Sequence, residues 1–132
     1  MRRRSGFVTM TILAILLAVG GTTLAGCEAG PPTGPVKAGY KAGSLGSAEV
    51  VGYLSRSDLE GGFWVVYSSP TTSSVVPPKV LAVLLPGSVD EGGIAALDGR
   101  YVWAAGRVSA SASTRMAGPE ILVDGIDAVQ AP

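Results

Sequence analysis

The chain has no histidine, no asparagine and a single cysteine, Cys27. Without histidine, the usual zinc ligand sets and both Ser-His-Asp and Cys-His catalysis are excluded. One cysteine leaves no partner for an intramolecular disulfide. Missing asparagine removes one common hydrogen-bonding side chain from any sugar site. Charge is sparse: 15% of residues are Asp, Glu, Lys or Arg, with 10 basic against 10 acidic. A formal net charge of zero argues against a strongly basic nucleic-acid binder. The longest apolar run, Phe7 to Val19, has about 13 residues, whereas a membrane-spanning helix needs about 20. What is plentiful is turn chemistry, with 19 Gly and 9 Pro in 132 residues that are 47% hydrophobic. That length holds one small domain.

The two ends of the chain differ. Arg2, Arg3 and Arg4 precede the apolar run, and small residues follow it to Gly26, the order of an export signal. Leu24-Ala25-Gly26-Cys27 then resembles the lipobox of bacterial lipoproteins. In that family the small residue before Cys admits the signal peptidase, and the thiol carries a diacylglycerol. The resemblance implies cleavage after residue 26, lipidation of Cys27, and a protein held at the extracytoplasmic face of a cell membrane. In a cell with an outer membrane, Glu28 stands where inner-membrane retention would place Asp. The Arg3-Arg4 pair does not make a twin-arginine signal, because Gly6-Phe7 replaces the apolar pair of that motif. Removing residues 1–26 leaves 7 basic against 10 acidic residues, a net of −3. Such a chain is not drawn by charge to phosphate backbones or anionic lipid.

Residues 28–47, EAGPPTGPVKAGYKAGSLGS, carry almost no large apolar side chain. A segment like this buries too little surface to offset its ordering entropy, so 27–47 is expected to be the lipidated Cys and a flexible linker. Beyond it the pattern changes to short apolar or alternating runs divided by Gly and Pro. Residues 49–55, 63–68, 79–85, 100–109 and 120–129 have strand length and β-branched or aromatic content. Residues 89–97 have room for a helical turn or two. The expected fold is therefore all-β with five strands over 48–130. In the fourth strand, Val102, Ala104, Gly106 and Val108 share one face, and Tyr101, Trp103, Arg107 and Ser109 share the other. The first face is small and apolar, which suits the interior of a tight barrel. Gly52 and Gly106 fall inside strands, where glycine marks a bend or a close backbone approach.

The runs Gly52-Tyr53-Leu54, Leu59-Glu60-Gly61-Gly62-Phe63-Trp64-Val65-Val66, Leu97-Asp98-Gly99-Arg100-Tyr101-Val102 with Gly106-Arg107, and Gly118-Pro119-Glu120-Ile121-Leu122-Val123 resemble the small OB-fold domains of bacterial envelope lipoproteins and secreted proteins. The resemblance covers most of 49–129 and implies a small five-stranded OB-like barrel. The function it implies is only a binding or interaction module, because fold does not fix function.

Chemistry is thin elsewhere. The carboxylate pairs Asp58 with Glu60, Asp90 with Glu91, and Asp124 with Asp127 read as solvated turn residues. None sits in an acid-rich loop of the kind that wraps calcium. No Gly-x-Ser-x-Gly is present, and the glycine pairs form no phosphate-cradling motif. The expected protein is non-catalytic and without cofactor or metal. Its expected partners are the membrane, through lipid on Cys27, and an envelope protein or wall polymer. Binding of an oligosaccharide or a single-stranded nucleic acid by the OB face is the alternative. The candidate binding surface is Trp103, Tyr101 and Arg107, an outward Trp, Tyr and Arg of the kind that interface hot spots favour.

Overall fold

The computed structural model describes residues 30–75, 77–110 and 117–132. The expected export signal and Cys27 lie outside the described residues. Six strands form one sheet: β1 (Gly39–Ala42), β2 (Ser47–Ser57), β3 (Phe63–Tyr67), β4 (Val80–Pro86), β5 (Tyr101–Val108) and β6 (Glu120–Ala128). One short helix, α1 (Glu91–Ala95), lies between β4 and β5. Asp90 caps it, its carboxylate accepting from the Gly93 N–H at 2.8 Å. Among the described residues no helix is long and apolar enough to cross a membrane.

The five strands expected from the sequence are all present, with ends shifted by a residue or two. They close into a ring. β2 pairs β3, β3 pairs β4, β4 pairs β6 in parallel, β6 pairs β5, and β5 returns to β2. Among the described residues the one α-helix falls between the third and fourth ring strands. The interior holds Val50, Leu54, Trp64, Val66, Ala82, Leu84, Val102, Ala104, Ile121 and Val123, and Ile94 of α1 joins them.

Two glycines allow the ring to close. A Cβ at Gly52 would strike the Tyr67 carbonyl oxygen and approach Val66 Cγ1 to 2.8 Å, so β2 passes close beneath the end of β3. A Cβ at Gly106 would strike the Leu122 carbonyl oxygen at the bulge between β5 and β6. There Gly106 faces Val123 and Ala105 faces Gly125, which leaves Asp124 without a cross-strand partner. The bulge also resets alternation, so Val123 and Ile126 both serve the interior. Val108 departs from the expected inward face: at 37% exposure it lies one residue past Arg107, the last position of β5 paired with β2, while still paired with Ile121 of β6.

The largest difference concerns the expected linker. Residues 39–42 form β1, antiparallel to β2 with Gly39 opposite Val51 and Ala42 opposite Ala48. Upstream, Pro35 bridges Gln130, and the Val36 N–H donates to the Gln130 carbonyl at 3.1 Å. The reason lies in β2, whose eleven residues are longer than β3 can cover. β3 pairs Tyr53–Ser57 only, and on that edge the backbone groups of Ala48–Val51 are taken up by β1. Tyr40, the one aromatic residue of 28–47, packs against the ring interior and fastens the strand.

Candidate functional site

The outer face of β2, β5 and β6 holds the three residues singled out from the sequence. Alternation along β5 does place Tyr101, Trp103 and Arg107 opposite Val102 and Ala104. Outward is not exposed here, however: Trp103 retains 5% of its surface and Tyr101 8%. Together with Val51 they form a second apolar layer, covered by Val36 and Ala38 of the N-terminal arm and by Val129 and Ala131 of the C-terminal end. The Tyr101 hydroxyl donates to the Val36 carbonyl at 2.7 Å. Its ring meets Tyr53 edge-on at a centroid distance of 4.8 Å. Burial first, and then the neighbouring Tyr53, pushes the Tyr101 phenol above its ordinary value of 10.0.

Trp103 and Arg107 line one cleft of about 640 Å³. Its floor is Trp103, Ala105 and Gly125, and a Cβ at Gly125 would lie 3.5 Å from the indole. Lys41, Glu49, Arg107, Asp124 and Asp127 also line it, as do Ser44, Ser47 and Pro31. Tyr101 faces elsewhere, into a smaller hollow of about 370 Å³ with Lys37, Tyr53, Ser69 and Pro70. The structure thus brings together two of the three candidates.

The bulge explains Asp124. Left out of the ladder, it accepts from the Ser88 hydroxyl at 2.8 Å and pairs with Arg107 at 3.5 Å, Nε to Oδ2. The Ser88 hydrogen bond lowers its carboxyl from the ordinary 3.8; desolvation opposes this, and the Arg107 charge adds to the lowering. Both members of the pair are exposed, so it adds little stability and serves to orient two charges on the rim. Two cations against three carboxylates make the rim mixed, able to donate and accept hydrogen bonds but not to concentrate ligands of one sign.

Lys41 and Glu49, directly opposite each other across β1 and β2, were not among the candidates. Lys41 lay in the expected linker, and the signal that would have found it was Tyr40, the lone aromatic of that segment. The other aromatics do not gather into one platform. Trp64 lies in the ring interior, with the Arg56 guanidinium 5.8 Å from its ring, and Phe63 packs on the opposite face of β3 with Val65 and Val83. Of the other acidic pairs, Asp90 is the helix cap. Among the described residues no group of three or more potential metal-ligating side chains converges.

No family model, no characterised protein and no solved structure matches this chain.

Proposed function

We propose that this protein is a lipid-anchored, extracytoplasmic lipoprotein of a bacterial cell envelope, whose β domain is a non-catalytic interaction module. The observation that carries the reading is Leu24-Ala25-Gly26-Cys27 at the end of an arginine-led apolar run, with Cys27 the sole thiol of the chain. Two acyl chains on that residue, at about 0.8 kcal/mol per buried methylene, hold a protein at a membrane far more firmly than one. The ring of strands serves as a rigid carrier. Its covered aromatics support a protein or wall-polymer partner over a stacked sugar or base, because Trp103 and Tyr101 leave almost no ring face open to stack on. The charged rim of the cleft is the surface that meets the partner.

Intact-mass measurement on protein extracted from its own membrane tests the anchor. The expected mass lacks residues 1–26 and carries an added diacylglycerol. The Cys27→Ser chain is expected to remain uncleaved or to leave the membrane. A wild-type mass without added lipid refutes the reading. For the module, a Lys41→Ala/Arg107→Ala double variant should keep its melting temperature and lose the partner captured by wild type.

A further inference from the structure

A second contact with the bilayer follows from the point at which the arm leaves the domain, and it rests on Cys27 being the anchor. Pro31, near the N-terminal limit of the described residues, lines the same cleft as Gly43 and Ser44 of the turn that joins β1 to β2, and as Ser47 at the start of β2. Four residue steps separate Pro31 from Cys27. At no more than about 3.6 Å each, they reach at most about 14 Å. A domain attached by so short a stretch keeps that turn on its membrane side.

At the apex of the turn is Leu45, fully exposed at 103% and in the left-handed region at φ 55°, ψ 34°. That conformation is natural to glycine and rare for a bulky side chain. Gly46 follows at φ 75°. The turn is braced by the Gly43 N–H donating to the Ser47 carbonyl at 2.8 Å and by the Ser47 hydroxyl donating to the Ser44 carbonyl at 2.7 Å. In water Leu45 gains from neither its conformation nor its exposure. Single exposed leucines are ordinary on protein surfaces; one held outward by a braced turn beside the anchor is placed to meet lipid.

We infer that the β1–β2 turn docks on the bilayer and that Leu45 enters its interfacial layer. The nearby Lys41 and Arg107 are outnumbered by Glu49, Asp124 and Asp127, so the contact is apolar and does not depend on anionic lipid. The anchor makes one leucine sufficient, because attachment at Cys27 turns docking into an intramolecular step.

Leu45→Trp tests this against Leu59→Trp, which alters another exposed leucine (70%) just beyond the far end of β2, about 30 Å of strand away. The lipidated proteins are reconstituted in phosphatidylcholine vesicles with and without bromine on the acyl chains. The unsubstituted protein gives the background from the buried Trp64 and Trp103. Above that background, Leu45→Trp is expected to lose about half of its added emission to brominated lipid and Leu59→Trp almost none, with no change when phosphatidylglycerol replaces part of the phosphatidylcholine. Equal quenching in both variants overturns the inference. So does a Leu45→Trp emission that shifts only on adding soluble envelope proteins, which assigns the turn to a protein partner. Intact mass of the same samples reports separately on the anchor. If no lipid is found there, coupling the Cys27 thiol to a maleimide lipid restores attachment at the same residue, and the quenching comparison still decides where the turn lies.

Discussion

Replacing Trp103 by alanine tests whether this side chain belongs to the structure or to a binding surface. Trp103 is 95% withdrawn from solvent, in one cluster with Val51 and Tyr101 against which Val36, Ala38, Val129 and Ala131 pack. Truncating a buried aromatic to alanine costs about 3–5 kcal/mol. Here two chain ends pack against the cluster and settle partly into the space, which favours the lower figure, about 3 kcal/mol. For a domain of this size each kcal/mol lowers Tm by roughly 4–8 °C, so a fall of about 12–24 °C is expected by calorimetry. The loss has a local signature as well. The Val36 N–H bound to the Gln130 carbonyl and the Val129 N–H bound to the Tyr101 carbonyl should lose hydrogen-exchange protection before the ring strands do. A fall of less than about 4 °C with both amides still protected would refute the reasoning, because the indole would then not be holding the ends in place.

Tyr101→Phe removes only the hydroxyl that donates to the Val36 carbonyl, and should cost about 0.5–1.5 kcal/mol in urea unfolding, with exchange at Val36 accelerated. Gly106→Ala places a Cβ against the Leu122 carbonyl oxygen, whereas Gly39→Ala meets nothing within 4 Å. The first should unfold the domain or destabilise it by more than about 2 kcal/mol, and the second should change its stability by less than about 0.5 kcal/mol. Asp124 has a carboxyl pKa lowered by folding, so its contribution to stability is present above the unfolded value near 3.8 and is lost as pH falls through the lower folded value. Ser88→Ala removes the largest cause of that lowering. An NMR titration of the Asp124 carboxyl should therefore move up toward 3.8, and the stability difference from wild type should disappear in strong acid.

Local sequence determined the ring strands, because each carries enough β-branched and aromatic residues in a strand-length run to need a sheet, and Gly and Pro clusters separate them. It also determined which side of β5 faces inward, through the alternation of Val102 and Ala104 with Tyr101 and Trp103, and it marked Gly52 and Gly106 as places where backbones meet. Asp90, read from the sequence as a solvated turn residue, is instead the cap of α1, and the reading of Cys27 rests wholly on the sequence around it. The remainder depended on residues far apart in the chain. β1 exists because β2 outruns β3 and leaves Ala48–Val51 to be paired, a vacancy of which Tyr40 is the one local sign. Whether Trp103 and Tyr101 were open or covered was decided by both chain ends folding back over one face, since alternation specifies a direction and not what lies in it. Asp124 reached Ser88 and Arg107 because a bulge opposite Gly106 removed it from the ladder, and the cleft that takes in Lys41, Glu49, Arg107, Asp124 and Asp127 is assembled from four strands. Periodicity acts over one element at a time, whereas edges, covers and clefts are properties of several elements at once. These only the tertiary structure decided.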